Sequence, residues 1–390
     1  MKNYSRIYAK IDLDAVAYNF ESMRKNIRND ARMIAVIKAD GYGHGAVQIA
    51  HLTENYDYIW GFATATAEEA LELRNAGVKK PILILGYVFE EHYKEIIQND
   101  IRPVVFKRDM AEKLAEKAVC LNKKAIIHLG LDTGMTRIGF RDDETSVEII
   151  RQISHLEGLE IEGMFTHFAR ADETDKKWAE SQLKRYLNFL EMLERNGVHV
   201  PIRHCSNSAG IIDMPQANLD LVRAGISIYG IYPSDEVDQN RVPLKPVMEL
   251  KSHVSYVKEV EEGIQISYGG TFVTKRKSRI ATIPVGYADG YPRMLSNKGC
   301  VLIRGQRAPI TGRVCMDQFM VDVTDLDGIS ELDEVTLLGA DGNERISVEE
   351  LSEICGRFPY EFVCDISKRV PRVYIKDNII SEQKDFFHVY

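Results

Sequence analysis

Short apolar runs alternate with longer amphipathic segments through the first 230 residues. A run such as MIAVIK is rich in β-branched residues, whereas a segment such as AEEALELRN places apolar residues at helical spacing beside a charged face. Eight such runs can be counted: Met33–Lys38, Ile59–Ala63, Pro81–Gly86, Pro103–Phe106, Ala125–Leu131, Gly163–His167, Ile202–Cys205 and Leu219–Val222. Strands of a parallel sheet are buried on both faces and therefore appear as continuous apolar runs. The pattern predicts an α/β fold, a (β/α)₈ TIM-type barrel.

After about residue 232 the pattern becomes rich in strands. Prolines interrupt runs such as SRIATIPVGY and MVDVTDL, and one helix is predicted near residues 347–355. No repeat or low-complexity tract separates the two parts. We therefore expect two domains, the barrel over residues 1–240 and a mainly β-strand domain over residues 241–390.

Composition restricts the class of protein further. Hydrophobic residues make up 45% of the chain and charged residues 28%, which is typical of a globular protein rather than a disordered or membrane-spanning one. A net charge of -8 argues against broad binding to nucleic acid or to a membrane surface. The six cysteines are scattered without a CxxC pair, and the N-terminus does not resemble a signal peptide. We expect a cytoplasmic protein with reduced thiols.

The ends of the predicted strands carry the candidate chemistry, because barrel enzymes place their active sites there. Lys38 ends the first run and precedes a glycine-rich loop, where burial and neighbouring cations could make its amine a nucleophile. The loops after the last two runs offer Ser208, Gly225 and Ile226, which suit a phosphate and are equally consistent with ordinary turns. A phosphorylated aldehyde cofactor would need both a lysine and a phosphate site.

Several motifs resemble those of one family. The segment AVIKADGYGHGA, at residues 35–46, is similar to the pyridoxal-phosphate lysine motif of the bacterial alanine racemases, which are fold-type III enzymes. Further motifs match that family in the same order, namely LDTGMTRIGF, THFARADE, HCSNSAG, LVRAGISIYG, ISYGGTF, GYADGYPR and GRVCMDQ. The resemblance covers essentially the whole chain.

The resemblance implies two catalytic bases and a set of cofactor ligands. Lys38 is expected to bind pyridoxal 5'-phosphate covalently and to act as one base. Tyr268, from the C-terminal domain of the second subunit of a homodimer with shared active sites, is expected to act as the other. Arg223 is expected to bond the pyridine nitrogen with His167 beside it. The phosphate ligands implied are Tyr42, Ser208, Gly225, Ile226 and Tyr360.

The resemblance also implies a substrate pocket for a small amino acid. Arg137 is expected to contact the phenolic oxygen side of the cofactor and the substrate carboxylate, and Met316 and Asp317 are expected to line the pocket. Tyr287 and Tyr360 match the tyrosines at the family's pocket entrance. No metal is expected, and His44 and His128 are assigned no role.

These roles fit the chemistry of racemisation, in which a proton leaves one face of the α-carbon and returns on the other. An arginine against the pyridine nitrogen keeps that nitrogen unprotonated, since a guanidinium cannot accept a proton. We expect interconversion of L-alanine and D-alanine, which supplies D-alanine for peptidoglycan.

Three alternatives stand beside this expectation. The same fold could racemise serine or a basic amino acid. It could instead belong to a non-enzymatic pyridoxal-phosphate binding protein, although such a protein would not need Tyr268. A barrel decarboxylase is disfavoured because its cofactor nitrogen would face an acidic residue rather than Arg223.

One position departs from the family's pattern. Many members carry a carbamylated lysine on the fifth strand of the barrel, and this lysine supports the arginine that corresponds to Arg137. Here that position is Gly130. Because a cation in a partly dry pocket is costly without a counter-charge, we expect an anion such as chloride, or a carboxylate from elsewhere in the barrel, to support Arg137.

Overall fold

After a first strand, β1 (Ile7–Asp12), and helix α1 (Leu13–Lys25), eight parallel strands close into a barrel in the computed structural model, which describes residues 4–387. The barrel strands are β2 (Arg32–Val36), β3 (Ile59–Thr64), β4 (Ile82–Ile84), β5 (Ile101–Val105), β6 (Ala125–Asp132), β8 (Leu159–Phe165), β9 (Ile202–His204) and β10 (Leu221–Ala224), and a short β7 (Phe140–Arg141) pairs with the end of β6. Pairing of β2 with β10 and of β5 with β6 closes the ring. Each barrel strand overlaps one predicted run, and the predicted barrel is confirmed.

Amphipathic helices follow most of the barrel strands. They are α2 (Ala46–Thr53), α3 (Ala67–Asn75), α4 (Tyr93–Gln98), α5 (Arg108–Cys120), α6 (Glu144–Ile153), α7 (Lys177–Arg195) and α8 (Ser208–Asp213). Helix α7 shows the pattern clearly, since Leu183, Tyr186 and Phe189 are buried while the charged residues between them are exposed. Side chains of Thr66 and Asp143 cap α3 and α6 by accepting backbone N–H bonds.

The C-terminal part is built on a large, mostly antiparallel sheet. Its strands are β11 (Met248–His253), β12 (Tyr256–Val260), β13 (Gln265–Ile266), β14 (Phe272–Val273), β15 (Ser278–Ile283), β16 (Cys300–Ile303), β17 (Gln306–Thr311), β18 (Phe319–Asp322), β19 (Glu334–Asp341), β20 (Glu344–Ile346), β21 (Arg372–Lys376) and β22 (Ile379–Lys384), with β13 and β14 forming a separate pair. The predicted helix is α9 (Val348–Cys355), capped by Ser347. A second helix, α10 (Pro359–Cys364), was not predicted because its six residues are too few for a periodic pattern.

The chain divides into two units. The barrel unit comprises Ala15–Gly41 and Gly45–Pro246, and the C-terminal unit comprises Val247 onward together with Tyr42–His44 and the residues up to Asp14. Strand β1 thus belongs with the sheet, pairing with β11 and β21, although the expected division at residue 240 placed it with the barrel. Its residues alternate between buried and half-buried, which suits an open sheet and not a barrel strand.

Two further observations concern the whole described part of the chain. Within residues 4–387, no helix has the length and apolar composition needed to cross a bilayer. The same residues contain no disulfide bond, and Cys205 and Cys355 are buried.

Candidate active site

Lys38 precedes a stretch of left-handed backbone. It lies two residues after the end of β2, and the φ angles of Ala39, Asp40, Gly41 and Tyr42 are 53°, 48°, 63° and 50°. Left-handed backbone costs roughly 1–2 kcal/mol for a residue with a side chain. The turn therefore needs strong local support.

Hydrogen bonds at both ends of the turn provide that support. Asp40 accepts the Gly45 N–H with its carbonyl oxygen at 2.8 Å and the Ala46 N–H with Oδ1 at 3.0 Å. The Ala39 N–H donates to Glu69 Oε1 at 2.7 Å. These bonds fix the backbone on either side of Asp40 and hold the residue that follows Lys38.

Arg223, the last residue but one of β10, is buried in the barrel with 2% exposure. Its Nη2 donates to the carbonyl oxygens of Thr166 and Cys205 at 2.8 and 2.9 Å and lies 3.3 Å from His167 Nδ1. Its Nη1 donates to His204 Nδ1 at 3.0 Å. Among residues 4–387, no acceptor is bonded to its Nε. Burial lowers the pKa of Arg223 to about 10, so the guanidinium is still charged at neutral pH.

A line of buried side chains, which we call the histidine relay, leads from Arg223 to Glu162. His204 Nε2 lies 2.9 Å from His128 Nδ1, and His128 Nε2 lies 3.0 Å from Glu162 Oε2. A carboxylate only accepts, so His128 Nε2 carries a proton and its Nδ1 accepts from His204 Nε2. His204 Nδ1 is then free to accept from Arg223. The relay thus has one consistent direction, with both histidines neutral.

The electrostatics of the relay agree with that direction. Burial lowers the pKa of both His128 and His204. Burial alone would raise the pKa of Glu162, but hydrogen bonds from His128 and Arg102 lower it to about 2. His128, to which the sequence assigned no role, is therefore part of the support of Arg223.

His167 lies among cations at the end of β8. Burial and then the charges of Arg223, Arg137 and Lys38 lower its pKa to about 3. The same four side chains were predicted from separate motifs. Because β10 pairs with β2, and β6 with β8, the strands that carry or precede them end on the same side of the barrel.

These histidines make the free energy of unfolding depend on pH. His128, His167 and His204 stay neutral when folded, whereas in the unfolded chain each binds a proton below its ordinary pKa. Below about pH 6.5 the unfolded state therefore binds more protons, and stability should fall by up to about 1.4 kcal/mol per pH unit for each histidine. Urea denaturation at pH 7.5, 6.5 and 5.5 measures this loss. Equal stability at pH 7.5 and 5.5 would contradict the neutral assignment.

Ser208 and Gly225 meet where β9 and β10 end. The Gly225 N–H donates to Ser208 Oγ at 3.0 Å, and the Ser227 N–H points to the same oxygen at 3.4 Å. The Ser208 hydroxyl can still donate its own proton outward. Ser227 Oγ is fully buried and has no hydrogen-bond partner among the described residues. Ile226, which lies between Gly225 and Ser227 in the sequence, is also buried.

The remaining predicted residues lie in the C-terminal unit, in two groups. In the first, Tyr42 contacts Tyr360 edge to face with ring centroids 6.1 Å apart, and Tyr360 stacks on Phe358 at 4.4 Å. The stacking fixes the ring of Tyr360, and with it the direction of its hydroxyl.

The second group surrounds Tyr268, which lies in a tight turn between β13 and β14. Ser267, with φ of 66°, anchors this turn by donating from Oγ to the Arg313 carbonyl oxygen at 2.7 Å. A Cβ on Gly269 would lie 3.1 Å from Arg313 Nη1, so the turn packs closely there. The Tyr268 side chain is 71% exposed. The backbone thus presents the phenol outward from an anchored turn.

Tyr287, Met316 and Asp317 lie on neighbouring backbone. The Tyr287 N–H donates to the Cys315 carbonyl oxygen at 3.1 Å, and the Ala288 N–H donates to that of Met316 at 3.0 Å. Asp317 Oδ1 accepts from Arg369 Nη2 at 2.8 Å. Tyr287 and Met316 are 43% and 52% exposed. Because Ser267 bonds to Arg313 in the same segment, Tyr268, Tyr287 and Met316 lie on linked turns.

Asp289 supports the turn that carries Tyr287, and the sequence did not identify it as a site residue. Its carboxylate is buried and accepts from the Gly286 N–H at 3.1 Å and from both Nη atoms of Arg6 at 3.0 and 2.8 Å. These bonds close the turn that carries Tyr287. The motif GYADGYPR contains Asp289 but does not reveal its contact with Arg6, because Arg6 is remote in sequence.

Gly130 lies on β6 beside β5. A Cβ there would lie 3.1 Å from Val104 Cγ2. Arg137 forms no hydrogen bond or ion pair with any residue in 4–387, and the nearby Asp132 Oδ1 is occupied by the N–H groups of Gly134, Met135 and Thr136. The carboxylate alternative therefore has no candidate among these residues, and an exchangeable anion stays a prediction.

Comparison with known proteins places the chain in a family. Residues 11–233 match the alanine racemase N-terminal domain, and residues 247–374 match the alanine racemase C-terminal domain. The chain belongs to the alanine racemase family. An alanine racemase of Methanococcus maripaludis is 46% identical over 95% of this chain and 98% of its own length, and one of Clostridium perfringens is 45% identical over 97% and 98%.

Solved structures agree. The alanine racemase of Clostridium difficile 630 superposes with a TM-score of 0.95 at 41% identity, over 99% of this chain and 100% of that one. The enzyme from Bacillus anthracis with bound L-Ala-P gives 0.92 at 34% identity, over 99% of each chain. The family predicted from the motifs and the barrel-plus-β architecture predicted from the apolar runs are confirmed, as is the class of enzyme, an isomerase.

Proposed function

We propose that this protein interconverts L-alanine and D-alanine with pyridoxal 5'-phosphate and two bases, Lys38 and Tyr268. The observation that carries the proposal is the cluster of Lys38, Arg137, His167 and Arg223 at one end of the barrel, in a chain of this family. The cluster combines an amine for a carbonyl cofactor with a buried, charged donor for its ring nitrogen.

The donor groups of the barrel fit this cofactor. Pyridoxal phosphate presents a pyridine nitrogen, which is an acceptor, and Arg223 Nε is a donor that no described residue uses. It also presents a phosphate, for which the Ser208 and Ser227 hydroxyls are suitable donors. Arg223, Ser208, Gly225 and Ile226 would hold it from the barrel, with Tyr42 and Tyr360 as phosphate ligands.

The cofactor, when bound, withdraws electrons from the α-carbon of an attached amino acid and so acidifies its hydrogen. The protein supplies the proton transfers. Lys38 Nζ and Tyr268 Oη act from opposite faces, one removing the α-proton while the other returns a proton. Two bases on the same face could not invert the centre.

Arg223 limits the reaction to racemisation. A guanidinium donates but cannot take up a second proton, so the ring nitrogen facing it stays unprotonated and withdraws electrons less strongly. A cofactor held in this way would favour immediate return of the proton to the α-carbon over decarboxylation or transamination. The histidine relay supports this role by fixing the guanidinium plane.

Tyr268 acts in the site of a second subunit, so the active unit is a homodimer in which the C-terminal domain supplies the second base. The exposure of Tyr268, Tyr287 and Met316 on linked turns supports this, because large apolar side chains exposed near one another indicate an interaction surface. We place the protein in the cytoplasm, where D-alanine supplies peptidoglycan synthesis.

Polarimetry with a panel of L-amino acids tests the function. If Tyr287 and Tyr360 narrow the pocket entrance, alanine should be the best substrate, serine a weak one, and lysine and arginine nearly inert. Comparable kcat/KM for a basic amino acid would favour the alternative racemase. Bound cofactor without racemisation of any amino acid would favour a binding protein.

The covalent site is tested separately. Because Lys38 lies in this cluster, borohydride reduction followed by peptide mapping should place the pyridoxyl label on Lys38. Lys124, which precedes β6 at the other end of the strands and pairs with Glu160, is an internal control and should stay unlabelled. A label on another lysine would contradict the site.

A further inference from the structure

Glu69 joins the ends of two adjacent barrel strands. It lies in the first turn of α3, and its Oε1 accepts the Ala39 N–H at 2.7 Å while its Oε2 accepts the Ala65 N–H at 2.8 Å. Ala65 follows directly on the last residue of β3, and Ala39 follows directly on Lys38. One carboxylate therefore ties the loop after β2 to the loop after β3.

The hydrogen bond from Ala39 to Glu69 lies where the backbone enters its unfavourable left-handed conformation. Ala39 is the first residue of the left-handed stretch, with φ 53° and ψ 49°. Because it carries a Cβ, this conformation is sterically less favourable for it than it would be for glycine. Its N–H lies beyond the end of β2, where strand pairing no longer supplies an acceptor. A carboxylate makes shorter and stronger bonds to backbone N–H groups than a neutral acceptor does.

We propose that Glu69 is a positioning residue for Lys38. It holds the left-handed turn closed and thereby sets where the lysine amine projects from the barrel end. The inference rests on the proposed role of Lys38. Since Glu69 acts through the backbone of Ala39, it need not touch substrate or cofactor.

The chain offers a matched control in Glu54. Its Oε1 accepts the N–H groups of Lys79 and Lys80, both at 2.9 Å, just before β4. Glu54 thus also ties backbone with one carboxylate, but at the opposite end of the strands from Lys38. Glu54→Ala and Glu69→Ala remove the same number of backbone bonds, and only Glu69→Ala loosens the turn.

Hydrogen exchange measured on the full chain reads the turn directly. In Glu69→Ala the Ala39 amide should exchange at least tenfold faster than in the unmodified protein, while in Glu54→Ala only Lys79 and Lys80 should accelerate. Glu69→Gln, which keeps one acceptor oxygen, should lie between. Unchanged exchange at Ala39 in Glu69→Ala would overturn the proposal.

A second readout concerns Lys38 itself. With added pyridoxal phosphate, Glu69→Ala should shift the pH midpoint of the cofactor's absorbance change and lower kcat by at least tenfold, with a smaller change in KM. Glu54→Ala should leave both unchanged, and identical midpoints and kcat in the two variants would overturn the positioning role. If the unmodified protein fails to racemise any amino acid, the proposed function fails, whereas the exchange at Ala39 still decides whether Glu69 holds the turn.

Discussion

Lys38→Ala and Tyr268→Phe should each lower the kcat for alanine racemisation by about a thousandfold or more, because each removes the only acid-base group on one face of the α-carbon. The two variants should differ in what survives. Tyr268→Phe keeps the lysine and should retain the cofactor's absorbance, whereas Lys38→Ala should lose it. Circular dichroism of alanine solutions and the absorbance spectrum measure the two effects.

Mixing the two inactive variants distinguishes a shared site from a self-contained one. A hybrid dimer contains one barrel with Lys38 that faces the intact Tyr268 of the other subunit, and one barrel with neither base. Random exchange makes half of the dimers hybrid, so about a quarter of the normal specific activity should return. The control is either variant alone, taken through the same exchange.

The outcome bears on the dimer as well as on the residues. No recovery, once subunit exchange has been demonstrated with tagged chains, would mean that Tyr268 does not act in a partner's site. Full activity of Tyr268→Phe on its own would remove Tyr268 from the mechanism and leave Lys38 as a base in need of another partner.

The barrel was predictable because its strands are buried on both sides. That burial leaves an apolar run in the sequence for every strand, and the run from Ala125 to Leu131 coincides with β6 within one residue. The start of β8 was less well predicted, since the run was assigned from Gly163 whereas the strand begins at Leu159. Glu160 and Glu162 interrupt the apolar character there.

Motifs located the residues that carry the chemistry, but not those that hold them. Lys38 and Tyr268 lie in distinctive sequences, whereas Glu69 is one of several glutamates on a helix and its partner is a backbone N–H thirty residues away. Periodicity shows which face of a helix is charged, and it does not show which carboxylate reaches a loop. Such contacts become visible only once the strands are placed side by side.

The histidine relay did leave a signal in the sequence. His128 lies inside the apolar run AIIHLGLD, and Glu162 lies inside LEIEGMF. A polar side chain within a strand that is buried on both faces must have a partner, because an unpaired one is costly. His128 therefore indicated a buried polar contact, whereas Glu162 lies just before the run assigned from Gly163 and gave no such indication.

Breaking the relay at His204 is the second change with a large expected effect. His204→Leu keeps the volume of the side chain but leaves a donor on Arg223 and the Nδ1 of His128 without partners in the barrel interior. Two buried groups left unpaired should lower the free energy of unfolding by about 2–4 kcal/mol. Arg223 keeps its bonds to backbone carbonyls but loses the one from the His204 ring, so its guanidinium should be held less firmly against the cofactor nitrogen and kcat should fall on the order of a hundredfold.

Two further variants separate the relay from general loss of stability. Tyr186→Phe removes another fully buried hydrogen bond, from the tyrosine hydroxyl to the Met164 carbonyl oxygen, and should cost about 1 kcal/mol while leaving kcat nearly unchanged. Gly163→Ala removes no polar group, yet its Cβ would lie 2.6 Å from His128 Cε1 and would displace that ring; it would also lie 2.9 Å from the Ile202 carbonyl oxygen, so some loss of stability is expected as well. If the relay positions Arg223, Gly163→Ala should lower kcat as His204→Leu does, with urea denaturation and racemisation measured side by side. A kcat for His204→Leu equal to that of Tyr186→Phe would mean that the relay stabilises the barrel without influencing Arg223.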